Sequence, residues 1–261
     1  MSYTDIEKAL SDPNVIKAIE KSINQSSETP SSGFSGFSVE KMSKEKIHSE
    51  YGETSILLAL IQRMNGIQRW NKSQPIKPEY LHEHSVSVAL FCLIIGKHYE
   101  ISHPESAFSA EKLAIYGIFH DAGEALSEDF NGLFKHNDPI IKAQVKNIES
   151  QMLEKLATTV DPILRDDMRD YIVQDNLDEV YSQLLKACDE LSALSKAMQE
   201  LRSNNYDFIQ AFYSLDEKVR SFFGKYPEVE YVYNMYMPSF KLTIDELSLL
   251  LPNVNINDIL S

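Results

Sequence analysis

Residues 180–201 read VYSQLLKACDELSALSKAMQEL. Val180, Leu184, Ala187, Leu191, Leu194, Met198 and Leu201 recur in alternating steps of four and three. That period places apolar side chains on one face of an α-helix and predicts a helix of about 25 residues. In a chain of 261 residues a repeat of this length suits the long helix of a globular bundle better than a coiled coil. Asp189 lies beside Cys188 and one position from the stripe. A carboxylate at the edge of a buried face needs a cation or a hydrogen-bond donor to offset its desolvation. An arginine or lysine could supply that, and so could a metal ion.

The neighbouring segments carry the same periodicity. Residues 84–99 are apolar on nearly every side, which predicts a central buried helix opened by Glu83-His84-Ser85. Residues 110–120 predict another, ending in His120-Asp121. Ile56, Leu57, Leu60, Ile61 and Met64 form one helical stripe; Ile141, Val145, Ile148, Met152 and Leu156 form a second; Phe208, Phe212, Leu215 and Val219 form a third. Residues 227–237 predict a helix stopped before Pro238, and Thr243 with Glu246 forms a capping box for a last one. No run alternates as a strand does. Glycine, 9 in 261, stands at about half its usual ~7%, which disfavours tight hairpins. The expected fold is all-α, a helical bundle.

Two regions are expected. Residues 51–261 form the main domain, and residues 1–50 a helical extension. Helix over 4–24 would be interrupted at Ser11-Asp12-Pro13, and SSETPSSGFSGFS (26–38), with six serines, reads as a linker. Phe34 and Phe37 within it could anchor on the main body.

Charge excludes several roles. Lys and Arg number 25 against 39 Asp and Glu, a net of −14, so the basic footprint of a nucleic-acid polymer binder is absent overall and an anionic membrane surface would repel the chain. No apolar run approaches the ~20 residues of a membrane span, and MSYTDIEKAL lacks the layout of a secretory signal. Cys92 and Cys188, in apolar surroundings, read as reduced buried thiols. The cytoplasm is the expected location.

His84, His120-Asp121 and Asp189 fall on three different predicted helices, 36 residues separating the histidines and 68 the aspartates. Two imidazoles and two carboxylates make a mixed donor set suited to Mn, Co, Zn or Fe. The pattern H…HD…D resembles the HD-domain metal-dependent phosphohydrolase superfamily. The resemblance narrows with Ile67-Gln68-Arg69-Trp70, Glu83-His84-Ser85, HDAGEALSED (120–129), LLKACDELSAL (184–194) and MPSFKLTIDELS (237–248). In that order they look like the YfbR-like 5′-deoxyribonucleotidases, over about residues 52–250.

The resemblance implies an HD-domain bundle that removes phosphate from deoxyribonucleoside 5′-monophosphates, with one divalent ion (Co²⁺ or Mn²⁺, with Zn²⁺ or Mg²⁺ as further options). It implies that His84, His120, Asp121 and Asp189 ligate the ion. Glu124 and Asp129 would serve catalysis beside the attacking water, Asp129 also contacting substrate. Arg69 would hold phosphate, Trp70 would disfavour a ribose 2′-hydroxyl, and the protein would be a homodimer. After Asp129 the family's Leu-Pro-Thr-Pro-like loop is replaced by Phe130-Asn131-Gly132-Leu133-Phe134-Lys135. Phe130, Asn131, Gly132 and Lys135 are expected at substrate, Asn131 in place of a hydroxyl contact. His82 is an extra imidazole nearby, expected to face solvent. Alternatives stay open: an HD triphosphohydrolase acting on dNTPs, or a non-catalytic nucleotide-binding module. A guanosine 3′-pyrophosphate hydrolase is weaker, because Glu124 is followed by Ala125.

Overall fold

The computed structural model describes residues 43–127 and 138–252. The chain separates into two compact units, Met1–Glu53 and Thr54–Ser261. In the first, the described residues form helix α1 (Lys44–Tyr51), with the Ser43 hydroxyl accepting the Lys46 N–H at its start. The expectations for residues 4–24, for the 26–38 linker and for Phe34 and Phe37 lie outside the described residues.

The second unit begins with α2 (Leu57–Arg63) and a 3-10 turn, Met64–Gly66. A two-residue hairpin ladder follows, β1 (Gln68–Arg69) antiparallel to β2 (Glu79–Tyr80), with Arg69 opposite Glu79. Then come α3 (Leu81–Ser102), α4 (Ala110–Phe119), α5 (Glu124–Ser127), α6 (Pro139–Thr158), α7 (Arg165–Val173), α8 (Glu179–Arg202), α9 (Ile209–Arg220), α10 (Pro227–Tyr236) and α11 (Ile244–Leu249). The 180–201 repeat is realised in α8: Leu184, Ala187, Leu191 and Leu194 are fully buried. They join Val88, Cys92 and Ile95 of α3, Leu113 of α4 and Val219 of α9 in the main core. A second cluster, Leu57, Ala122, Leu156, Ala157, Ile172 and Val173, ties α2, α6 and α7 beneath the end of α4. Cys92 and Cys188 are buried and unbridged, as expected.

Glycine acts at the α3–α4 contact. A Cβ on Gly96 would come 2.8 Å from Ala110 Cα, and one on Gly117 would come 2.9 Å from Ala89 Cα. The two helix axes approach closely because neither position carries a side chain.

Several expectations are corrected. The central helix starts at Leu81, ahead of His84, with the Glu83 carboxylate accepting the Tyr80 N–H. It is not buried all round, since Val86 and Leu90 are 49% and 59% exposed. Among the described residues, neighbouring helices cover its other faces and leave this one open. By length and composition α3 is the one described helix that could cross a membrane; it is packed against α4 and α8, with Leu81, Val88, Cys92 and Ile95 buried. Helix α7 was not foreseen, because RDDMRDYIV is largely polar. The helix expected over 227–237 does end before Pro238, at Tyr236, and the chain then passes into a 3-10 turn, Met237–Lys241, whose first positions need no N–H. The Thr243–Glu246 capping box forms as expected.

The connection between β1 and β2 is fastened to the end of α8. The Glu200 carboxylate accepts the N–H groups of Ile76 (2.8 Å) and Lys77 (3.3 Å) and the Asn205 amide (2.9 Å). Lys196 Nζ donates to Glu200 and to the Lys77 carbonyl, each at 2.5 Å. Lys196 and Glu200 are 5% and 2% exposed.

Candidate functional site

The four residues of the H…HD…D pattern come together where α3, α4 and α8 meet. His84, one turn into α3, is fully buried. Its Nδ1 lies 3.1 Å from the Ser192 hydroxyl, and its Nε2 is 3.0 Å from Asp189 Oδ1 and 3.8 Å from Asp121 Oδ2. Asp189 and Ser192 are three apart on α8, a spacing that puts both on one face. His120 ends α4, and its Nδ1 donates to the Gly117 carbonyl at 2.8 Å. A carbonyl can only accept, so Nδ1 carries the proton and Nε2 faces the cluster. That Nε2 is 3.1 Å from Asp121 Oδ2 and 3.9 Å from Asp189 Oδ1.

Both imidazole Nε2 atoms are buried, and neither makes a hydrogen bond of good geometry. Ligand atoms of His84, His120 and Asp121 all lie within 4.8 Å of one another. Two buried nitrogen donors aimed at carboxylate oxygens, each ring oriented through its other nitrogen, fit a divalent ion.

The electrostatics of these groups without an ion point the same way. Burial disfavours the His120 cation, but Asp121, Asp189 and the Gly117 carbonyl override it and raise the pKa to about 9. Desolvation pushes the Asp121 carboxyl up; His120, Arg69 and His84 outweigh this and hold it far below the usual carboxylate range. Burial, followed by the charge of Arg69, lowers His84. Asp189 is also lowered, its desolvation outweighed chiefly by the His84 contact. The cluster thus carries carboxylate charge seeking a cation, and an ion entering it displaces the His120 proton.

Arg69 and Trp70 sit in the hairpin that precedes α3. Arg69 reaches Asp121 Oδ2 with a terminal guanidinium nitrogen at 3.1 Å, and its Nε lies 3.4 Å from Glu79 Oε2. Burial disfavours its charge, but Asp121, Asp189, Glu79 and Glu124 more than compensate. Trp70 Nε1 donates to the same Glu79 oxygen at 2.8 Å, and its ring packs on Phe208 with centroids 5.2 Å apart. Trp70 has φ 59°, a left-handed conformation that costs a bulky residue on the order of 1–3 kcal/mol. Glu124 opens the short α5 and is 5% exposed. His82 is half-buried, its Nδ1 2.7 Å from Asn65 Oδ1, so it is tied to the preceding turn instead of facing solvent freely. Asp129, Phe130, Asn131, Gly132 and Lys135 lie outside the described residues.

A cavity of about 410 Å³ opens beside His120, Asp121 and Glu124 and is also lined by Lys146 and Ser150 of α6 and by Gln174. Neither Arg69 nor Trp70 lines it. Sequence reading missed Lys146 and Ser150, which carry no motif. It also missed Ser192 and Glu79. Ser192 was findable from its i+3 relation to Asp189, whereas Glu79 needed the hairpin register.

A helical bundle converging two histidines, an adjacent aspartate and a second helix-borne aspartate defines an HD-domain phosphohydrolase, a metal-dependent class. Solved structures agree on the fold. An HD-domain phosphohydrolase from Listeria innocua superposes with TM-score 0.60 at 14% identity, covering 73% of this chain and 90% of its own. A cyanophage S-2L HD phosphohydrolase, bound to dA and one catalytic Zn²⁺ ion, gives 0.50 at 17% identity, covering 69% of this chain and 96% of its own. Among curated relatives, a 5′-deoxynucleotidase of Vibrio vulnificus (strain YJ016) is 30% identical over 200 residues, 75% of this chain and 100% of the relative. One from Shewanella oneidensis is 32% identical over 199 residues, 76% and 100%. The chain belongs to the 5′-deoxynucleotidase YfbR-like family, whose sequence profile matches residues 56–240.

Proposed function

We propose that this protein hydrolyses deoxyribonucleoside 5′-monophosphates to deoxyribonucleoside and orthophosphate with one divalent ion. The observation that carries the reading is the pair of buried imidazole Nε2 atoms facing Asp121 and Asp189 in a chain of the 5′-deoxynucleotidase YfbR-like family. His84, His120, Asp121 and Asp189 hold the ion, and the mixed nitrogen and oxygen donor set favours Mn²⁺, Co²⁺ or Zn²⁺ over Mg²⁺. The bound ion supplies Lewis acidity to the phosphoryl oxygens and to the attacking water.

The chain's own groups supply the remainder. Arg69 presents a permanent planar cation to the phosphate from its seat on Asp121. Glu124 or Asp129 accepts the proton of the attacking water as its oxygen bonds to phosphorus, and that proton passes to the 5′-oxygen of the deoxynucleoside as the P–O bond breaks. Trp70 walls the sugar, so a ribose 2′-hydroxyl entering there would lose its hydrogen bonds. The resemblance also makes Phe130, Asn131, Gly132 and Lys135 candidates for substrate contact; they lie outside the described residues. The name of the cyanophage neighbour, bound to dA and Zn²⁺, and the names of the curated relatives support this substrate class. A cytoplasmic homodimer completes the reading; the two free buried thiols suit a reducing compartment, and light scattering tests the dimer.

The decisive assay measures phosphate release after chelation and metal add-back, with dNMP, NMP and dNTP in parallel. The expected result is release from dNMP that disappears on chelation and returns with Mn²⁺ or Co²⁺. Equal rates on AMP and dAMP would remove the role given to Trp70. Tripolyphosphate from dNTP without orthophosphate from dNMP would replace the proposal with a triphosphohydrolase.

A further inference from the structure

We propose that Glu79 is a positioning residue that locks Arg69 and Trp70 into one register, so that the phosphate and sugar contacts of the site move as a unit. The inference rests on the roles proposed above for those two residues. It begins with the ladder: β1 and β2 pair Arg69 directly opposite Glu79, which brings the Arg69 Nε to 3.4 Å from Glu79 Oε2.

Adjacent strand residues point to opposite faces, and Trp70 would therefore be expected to turn away from that carboxylate. Its left-handed φ of 59° reverses the chain, and the indole Nε1–H returns to the same oxygen at 2.8 Å. The turn is closed by the Ser73 N–H on the Trp70 carbonyl at 2.9 Å, and Phe208, fully buried, backs the ring. The other end of Arg69 is on Asp121 Oδ2 at 3.1 Å. One oxygen thus accepts from the indole and stands in ion-pair range of Arg69 Nε, which makes no hydrogen bond of good geometry, and Arg69 carries that register to the His-Asp cluster. The side chains of Arg69 and Glu79 are 16% and 12% exposed, so solvent offers neither a ready substitute partner.

Trp70 is the chain's only tryptophan, and emission excited at the red edge, where tyrosine does not absorb, therefore reports this indole alone. The test compares the full metal-loaded chain with Glu79→Gln and Glu79→Ala, reading emission without substrate and steady-state rates on dAMP and AMP. Glu79→Gln keeps an acceptor for the indole and removes the charge beside Arg69. It should retain the emission maximum and the dAMP/AMP preference while KM for dAMP rises about tenfold, the size expected for one charge-assisted contact. Glu79→Ala should shift the emission and also lower the preference about tenfold. Wild-type emission and preference in Glu79→Ala would overturn the proposal. An unchanged KM in Glu79→Gln would overturn its Arg69 half, and that variant carries the test if the alanine protein fails to fold. A wild-type protein without dAMP preference would count against the proposed substrate instead, while the emission comparison still decides whether Glu79 holds the indole.

Discussion

Glu200→Ala should be strongly destabilising, and its cost can be worked from the contacts. The carboxylate accepts from Ile76, Lys77, Asn205 and Lys196 while itself 2% exposed. Its removal leaves the Lys196 ammonium, 5% exposed, with only the Lys77 carbonyl among these partners, and two backbone N–H groups lose their acceptor. Breaking a buried ion pair from one side costs about 3–5 kcal/mol, because the surviving charge stays desolvated. In a folding unit of this size each kcal/mol lowers Tm by about 2–4 °C, so the expected drop is about 10 °C. Urea and thermal unfolding followed by circular dichroism measure it. The double variant Lys196→Met/Glu200→Met removes the stranded charge and should be more stable than Glu200→Ala, although both amides remain unpaired. A loss below about 1 kcal/mol in Glu200→Ala, or a double variant less stable than the single, would refute the reasoning.

Further outcomes follow from other contacts. Lys196, Asn205 and the two amides override the burial that would raise the Glu200 pKa and hold it at about 2 against an ordinary 4.5. The lowered value means its stabilisation is complete above pH 4.5 and fades as pH falls toward 2, so acid unfolding curves of wild type and Glu200→Ala should converge in that window. Ser192→Ala removes the partner of His84 Nδ1 and should weaken Mn²⁺ binding about 10–100-fold by calorimetry, with the fold intact. Gly117→Ala, whose Cβ would sit 2.9 Å from Ala89 Cα, should cost about 1–3 kcal/mol in urea unfolding. Asp121→Ala removes a proposed ligand and the anchor of Arg69 together; phosphate release should fall to background, and retained activity would contradict the metal assignment.

How much of this could be read in advance depended on the kind of signal. Helix α8 was legible because its seven apolar positions keep strict period over 22 residues and nothing else in the chain competes with it. Helix α7 was not, since its burial comes from two residues at its end, Ile172 and Val173. The outward face of α3 was misjudged because Val86 and Leu90 are as apolar as their buried neighbours, and hydrophobicity alone does not say which face has a partner. Spacing could nominate His84, His120, Asp121 and Asp189 but not bring them together, since tens of residues intervene and only the bundle closes that distance. The hairpin was invisible to periodicity: strands of two residues have no period to detect. Glu79 went unnoticed for the same reason, as its importance lies in what stands across the ladder.

The cluster draws its donors from α3, the end of α4 and α8, segments far apart in the chain. An ion held by all of them would act as a reversible cross-link of the bundle. Binding to the folded state alone adds stability that grows with the logarithm of ion concentration, about 2.7 kcal/mol at a hundredfold excess over Kd. The melting temperature of this protein would then serve as a gauge of free metal, readable with no substrate present.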